Sequence, residues 1–398
     1  GAPYPAISFG HGFLQSVERY ESTLRHLATH GYLVIASRSQ SGLFPSHSAF
    51  AADLRHCLTW LEQQHANPAA MLHGHVRLDA FGLSGHSMGG GASILAAAAD
   101  TRVRAVANLA AAETNPSAVA AIASVAAPVA LIAGSADSIV PVGSHGQLMY
   151  NAAGAPRQLP LIAGGYHCGF MDTSSFGCDS GPLARSEQLA ITRRLLTAFF
   201  GLYLKGADEL WRPVWGPEAA ADARVTTQAD AGFALLAADA ALVVPAGAAA
   251  TTTLTLTNHG PSERHFELVV DDVGWPAVFA PSPLPVAAGG TAEVTLTITA
   301  PFGNAATRTA LVSARPLDGP GTRAWAALSV QRTPTRGDLN CDGMIDTADV
   351  DAFVLALVSP AEYAAAFPDC PAAHGDCNGD GAVDTADIDA FVALIVGG

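Results

Sequence analysis

The segment that most constrains the fold is LDAFGLSGHSMGGG at residues 78–91, followed at once by the helix-forming run ASILAAAA. Strand-type apolar residues (Leu78, Ala80, Phe81, Leu83) lead into Gly85-His86-Ser87-Met88-Gly89, and the helix begins with no intervening loop. So tight a reversal needs neighbouring backbone to pass close by, which Gly85 and Gly89 permit, and it holds Ser87 in a strained conformation with its hydroxyl exposed. Strand, turn and helix in this order are the context of a G-x-S-x-G nucleophile elbow.

On either side of this segment, residues 1–218 alternate short apolar strands with helical stretches. Strands are expected at YPAISFG, YLVIAS, VRLDAFGLSG, VRAVANLA, PVALIAG and RQLPLIAG, and helices at RYESTLRHLATHG, AFAADLRHCLTWLEQQH and ARSEQLAITRRLLTAFFGLYL. This pattern predicts an α/β domain around a mostly parallel sheet, with helices on both faces. Residues 219–229 read as a linker. From 230 to 332 the segments TTTLTLTN, RHFELVV, AEVTLTIT, RTALVSA and AWAALSV alternate with period two between Gly/Pro/Asn turns. They predict an all-β sandwich that resembles the immunoglobulin-like modules of secreted enzymes, read as a spacer in preference to a carbohydrate-binding module. After a short linker at 333–336, residues 337–398 repeat internally. GDLNCDGMIDTADVDAFVLALV returns as GDCNGDGAVDTADIDAFVALIV, with the leading aspartates 376 − 338 = 38 residues apart.

At 398 residues the chain is long enough for two or three domains, and 49% hydrophobic against 14% charged residues marks it as folded. No apolar run reaches the roughly 18 residues of a membrane span. The chain starts at Gly1, which reads as a processed protein or a fragment. Its net charge of −15 belongs to the tail: residues 337–398 hold twelve acids and no Lys or Arg, leaving 35 − 12 = 23 acids against 20 bases ahead of them. Nothing in that balance marks a nucleic-acid footprint. The six cysteines include no CxxC pair, which argues against zinc. Cys168 and Cys178, close together in a Gly/Ser/Asp-rich loop, suit a disulfide of an exported protein, whereas Cys57 reads as a buried free thiol.

A serine hydroxyl becomes a nucleophile only when a base takes its proton and a carboxylate orients that base. In α/β-hydrolases the order along the chain is Ser, Asp or Glu, then His, the last two in loops after later strands. Asp137 follows PVALIAG and His167 follows RQLPLIAG, so Ser87, Asp137 and His167 are the candidate triad, with Glu113 as the substitute carboxylate. Asp79 lies at the start of its strand, at the wrong end of the sheet, and Asp172 follows the histidine, which sets both aside. The developing oxyanion needs two backbone N–H donors. Met88 supplies one by following the nucleophile, and Phe13, in the loop after ISFGHGF, supplies the other and walls the acyl pocket. His86 is expected to line the pocket beside the serine.

The motifs FGHGF, LATHGYLVIA, GHSMGGG and GSADSIVPV, with the histidine loop, resemble bacterial cutinases and polyester hydrolases of the dienelactone-hydrolase-like branch over most of residues 6–200. Two departures follow from that resemblance. Where those enzymes place an aromatic clamp, in the loop after the strand that follows the elbow helix, this chain has Ala112, implying a substrate-binding site without a ring to stack on. Relatives also carry more chain ahead of residue 6, so the first strands are expected to be missing and YLVIAS to be an exposed edge.

In the repeat, Asp338, Asn340, Asp342, Asp346 and Asp349 fall at positions 1, 3, 5, 9 and 12 of a calcium loop with Gly343 at 6. Asp376, Asn378, Asp380, Asp384 and Asp387 repeat the set around Gly381, and Met344 and Ala382 at position 7 would bind through their carbonyls. Each loop leads into an apolar helix, VDAFVLALV or IDAFVALIV. Without a preceding helix, and with Asp at position 12, the segment resembles a type I dockerin, implying two calcium ions and a cohesin-type partner; the pairing of Cys341, Cys370 and Cys377 stays open. The sequence thus predicts a multidomain chain: an α/β-hydrolase, an immunoglobulin-like sandwich and a small α-helical dockerin. Its expected activity is that of a secreted serine ester hydrolase acting on short-chain esters or polyesters without a cofactor for the chemistry. The alternatives are an acetyl xylan or feruloyl esterase and a non-catalytic scaffold.

Overall fold

Strands apolar along their whole length are buried only if helices cover both faces of their sheet. The computed structural model, which describes residues 2–301, 306–319, 321–333 and 335–397, meets that demand in the first of two compact units, Gly1–Gly232 with Asp318–Arg323. Its elements run β1 (Tyr4–Gly10), α1 (Glu21–Thr29), β2 (Leu33–Ala36), α2 (His47–Ala66), β3 (Val76–His86), α3 (Met88–Ala98), β4 (Val103–Leu109) and α4 (Ala118–Ile122). They continue with β5 (Val129–Gly134), α5 (Gly146–Ala152), β6 (Arg157–Ile162), α6 (Arg185–Phe200), α7 (Trp211–Val214), α8 (Pro217–Ala220) and β7 (Val225–Asp230). The sheet order is β2-β1-β3-β4-β5-β6-β7, parallel throughout except for the last pair. Helices α2 to α5 pack in succession, and α1 packs on α6. On α2, Phe50, Leu54, Leu58 and Leu61 recur at helical spacing and enter one core with Phe81 and Leu83 of β3 and Ile94 of α3. Each such side chain contributes about 1.5–3 kcal/mol on burial.

The stretch 219–229, expected as a linker, instead carries the end of α8 and most of β7, which pairs antiparallel with β6 from Arg157↔Asp230 to Ile162↔Val225. Its sequence, VTTQAD, lacks an apolar run because a strand with one neighbour needs to bury little; only Val225 is buried. The other edge is β2, half-buried along its length.

The second unit, Phe233–Leu317 with Ala324–Gly398, holds two sheets and the C-terminal helices. Its strands are β8 (Phe233–Ala237), β9 (Ala241–Pro245), β10 (Ala249–Asn258), β11 (Arg264–Asp271), β12 (Ala277–Ala280), β13 (Leu284–Val286), β14 (Thr291–Thr299), β15 (Ala306–Pro316) and β16 (Ala324–Thr333). They form sheets β12-β14-β10-β8 and β13-β11-β15-β16-β9, antiparallel but for the β16–β9 pair. Period-two alternation does what it must: along β10, Leu254 and Leu256 are buried, and Thr253, Thr255 and Thr257, which alternate with them, are not. Phe233 of one sheet packs on Phe266 of the other, ring centroids 4.9 Å apart.

The two repeats end in α9 (Asp349–Val358) and α11 (Ile388–Gly397), whose Phe353 and Phe391 stack at 4.0 Å. Both loops turn at their sixth residue, Gly343 at φ 94° and Gly381 at φ 92°, the left-handed region that glycine enters without a Cβ penalty. Between the repeats lies α10 (Pro360–Ala366), absent from the sequence reading, whose Tyr363 hydroxyl donates to the Leu339 carbonyl at 2.9 Å. Disulfides join Cys168 to Cys178 and Cys341 to Cys370, while Cys57 and Cys377 are half-buried thiols. Among the described residues no helix is long and apolar enough to cross a membrane.

Candidate active site

The carboxyl ends of β1, β3, β5 and β6 deliver Phe13, Ser87, Asp137 and His167 to one edge of the sheet, where open α/β folds bind ligands. Ser87, between β3 and α3, has φ 55° and ψ −119°, a conformation that costs a non-glycine residue about 1–3 kcal/mol. Backbone bonds impose it. The Ser87 N–H donates to Leu109 at 3.0 Å, and the Ser87 carbonyl accepts from Gly91 at 3.1 Å and Ala112 at 3.0 Å. The two elbow glycines make room: a Cβ on Gly85 would lie 2.4 Å from the Gly89 carbonyl carbon, and one on Gly89 would lie 2.2 Å from the Gly10 carbonyl group.

His167 Nδ1 and Asp137 Oδ2 are 2.8 Å apart, both side chains buried. The other Asp137 oxygen accepts the N–H groups of Ile139 at 3.0 Å and Val140 at 2.7 Å, so the carboxylate is held from both sides. An ionised carboxylate only accepts, so Nδ1 carries the proton and Nε2 keeps its lone pair. Ser87 and His167 border the same cavity, of about 210 Å3. None of the described hydrogen bonds joins them; in free enzymes this contact is often long and tightens when substrate binds. Glu113, the substitute carboxylate, is committed elsewhere: its Oε2 accepts the Val119 N–H at 3.0 Å.

Among the described residues, the N–H groups of Phe13 and Met88 find no protein acceptor, as donors kept for a ligand would. Phe13, Ser87, Met88 and Ala112 line a second, larger cavity of about 510 Å3. This space has the apolar surface that Ala112 removes: its wall includes Leu43, Pro45 and Phe44, the last 96% exposed. Phe176, equally exposed, stands on the smaller cavity. The sequence reading missed both aromatics because each sits in a loop outside any motif. His86 borders the smaller cavity yet is only 1% exposed, its ring 4.4 Å from that of His167. Burial first, then the neighbouring His167, holds its imidazole well below the usual histidine range.

Two further residues that sequence reasoning missed hold the His167 loop in place. Asp179 accepts the N–H groups of His167 at 3.0 Å, Cys168 at 2.9 Å and Ser138 at 3.2 Å, clamping the His167 loop to the loop that carries Asp137. The available signal was its position one residue beyond Cys178, whose disulfide to Cys168 closes the loop. Gln188 of α6, fully buried, brackets Tyr166 by accepting its N–H at 3.0 Å and donating to its carbonyl at 2.8 Å.

Against this geometry, residues 1–175 match the family model described as PETase, PET hydrolase-like. The match supports a polyester-hydrolase-like α/β-hydrolase in the front of the chain and, with it, ester hydrolysis as the class of chemistry. No curated protein matches the chain.

In the tail, Asp338 is fully buried, and among the described residues neither of its carboxylate oxygens has a partner of standard hydrogen-bond geometry, the Gly343 and Cys341 N–H groups standing nearby. Burial first, then Asp349, pushes its carboxyl above the usual range. Asp349 itself accepts the N–H groups of Leu339 at 2.7 Å, Asn340 at 2.9 Å and Asp346 at 3.1 Å. Asp376 faces the turn of the second loop, accepting from Gly379 at 2.8 Å and Asp380 at 3.1 Å.

Proposed function

We propose that the front domain is a secreted serine carboxylic-ester hydrolase working through an acyl-enzyme. Ser87 Oγ attacks the ester carbonyl carbon as His167 Nε2 takes its proton, and Asp137 steadies the imidazolium that results. The N–H groups of Phe13 and Met88 hold the oxyanion. His167 returns the proton to the departing alkoxide, and a water molecule activated by the same nitrogen then releases the acid and frees Ser87. The observation that carries this reading is the strained Ser87 beside two N–H groups without acceptors, on the same cavity as the Asp137-bound His167. The two disulfides favour an oxidising, extracellular setting. The test is hydrolysis of p-nitrophenyl butyrate, with Ser87 as the residue labelled by a fluorophosphonate. Ser87→Ala or His167→Ala lowers kcat by about 10⁴-fold or more. A parent protein that neither turns over the ester nor takes the label overturns the reading.

For the tail we propose a dockerin-like module with two calcium sites, docking on a cohesin-type protein. The fit rests on Asp338, a buried carboxylate whose two oxygens have no partner of standard hydrogen-bond geometry among the described residues, which a hard cation would satisfy. Asn340, Asp342, Asp346, Asp349 and the Met344 carbonyl complete the first set; Asp376, Asn378, Asp380, Asp384, Asp387 and the Ala382 carbonyl form the second. Calcium supplies the positive charge that offsets these acids. Support for docking comes from two exposed stripes at four-residue spacing, Val350-Val354-Val358 on α9 and Ile388-Val392-Val396 on α11, repeated 388 − 350 = 38 residues apart. In the full chain, calcium protects the tail from protease and EDTA exposes it, while esterase activity does not respond. Cleavage indifferent to calcium refutes the module.

A further inference from the structure

Tyr20 belongs to no motif, yet its hydroxyl is buried where three parts of the site meet. The Gly12 N–H, one residue before Phe13, donates to Tyr20 Oη at 3.0 Å. Tyr20 Oη in turn lies 2.8 Å from Nδ1 of His86, the residue before the nucleophile. The His86 ring packs on the ring of His167. A phenol has one proton to give. The Gly12 N–H donates to its oxygen and, among the described residues, His86 Nδ1 is the acceptor within reach of its proton, so we assign that proton to the Nδ1 contact and the imidazole's own proton to Nε2. Among the described residues Nε2 has no partner of standard hydrogen-bond geometry, and the His167 backbone, which favours the protonated ring, only partly offsets burial. Burial keeps His86 neutral, so no second cation opposes the imidazolium that His167 becomes during turnover.

Resting on the proposed reading of Ser87, His167 and Phe13, we infer that Tyr20 and His86 are a neutral positioning pair that fixes the oxyanion loop relative to the base. The Tyr20 hydroxyl anchors the loop carrying the Phe13 N–H, and the His86 ring backs the His167 imidazole, so both move together with the elbow. Neither residue reacts with substrate. Both act on the geometry that the transition state needs, so their loss reads in kcat before KM.

The test is Tyr20→Phe in the full chain, which keeps the ring packed on Phe9, 5.0 Å away, and removes only the hydroxyl. On p-nitrophenyl butyrate, kcat is expected to fall about 10- to 100-fold, as for a misplacement near 1 Å, with KM nearly unchanged. Affinity for a boronic acid that mimics the tetrahedral state falls in proportion, and fluorophosphonate labelling of Ser87 still runs to completion. A merely structural role would lower the melting temperature without that paired loss of kcat and analogue affinity. If Tyr20→Phe does not fold, His86→Gln and His86→Leu decide. Both lose the ring that backs His167, but glutamine can still accept from Tyr20 and keeps more of the kcat than leucine, which cannot. Parent-like kcat in Tyr20→Phe, or equal kcat in the two His86 variants, overturns the inference while leaving the hydrolase reading intact. An inactive, unlabelled parent removes that reading and the inference with it.

Discussion

Gly89→Ala tests how the fold sets the proposed oxyanion site. The added Cβ would stand 2.2 Å from the Gly10 carbonyl carbon and oxygen and 2.6 Å from the His11 oxygen. All three are backbone atoms, so no flexible side chain can swing aside. Restoring an ordinary 3.4 Å contact moves the end of β1 by 3.4 − 2.2 = 1.2 Å relative to α3. Phe13 follows Gly10 by three residues and Met88 opens α3, so the shift separates the two N–H groups proposed to share one oxygen. Overpacking of this kind costs about 1–3 kcal/mol of stability. Loss of one aligned oxyanion donor costs about 10²- to 10³-fold in kcat. Gly154→Ala is the control, since nothing lies within 4 Å of its added Cβ. The assay is kcat on p-nitrophenyl butyrate beside a thermal melt of each variant. A Gly89→Ala protein that unfolds like the parent and keeps its kcat would show that this contact does not set the oxyanion site.

Asp137→Asn should lower kcat about 10⁴-fold by spoiling the tautomer of His167, while Glu113→Gln, which touches only the Val119 N–H, leaves it near the parent value; the reverse pattern would transfer the orienting role. Asp179→Asn leaves one oxygen for three N–H donors and should cost about tenfold in kcat/KM by loosening the base loop, so an unchanged rate would make that clamp ornamental. Because burial lowers the folded pKa of His86, the unfolded chain binds the extra proton below about pH 6.5 and the folded chain does not. Stability of the first unit should therefore fall as pH drops below that point, and His86→Gln should flatten the decline seen in melting temperature. Phe44→Ala removes a ring from the larger cavity, worth about 0.5–1.5 kcal/mol in stacking, so aromatic-polyester hydrolysis should drop up to roughly tenfold while the butyrate ester loses little. An unchanged ratio of the two rates would place the polymer on another surface.

What the sequence revealed and what it hid divide along physical lines. The elbow was legible because its chemistry is compressed into five residues whose types are each forced by backbone sterics. The parallel strands were legible because burial on both faces leaves an unbroken apolar run. Strand β7 was not, since an edge strand paired on one side has no such run, and the short strands β8, β9, β12 and β13 offer too few alternations to rise above their turns. Helix α10 was hidden for a similar reason: seven residues give too few turns to display a periodicity, and its one buried anchor, Tyr363, makes no pattern by itself.

The same division holds inside the site. Ser87, Asp137 and His167 could be placed from chain order because each follows a strand, and the strands fix where each loop begins. Phe44 and Phe176 could not, because each sits in a loop outside any motif, and Asp179 and Tyr20 could not, because they act through contacts that join segments far apart in the chain. Asp179 reaches the loop of Ser138, 41 residues away, and Tyr20 reaches His86 across 66. Such residues carry no local signature: a carboxylate in a loop and a tyrosine at the end of a turn are common anywhere. Their roles follow only once the sheet has brought its loop ends together, and there Asp179 and Tyr20 satisfy polar groups that burial would otherwise leave unpaired. The atoms proposed to react are therefore written locally, while the precision of their placement is distributed over residues whose contacts exist only in the folded chain.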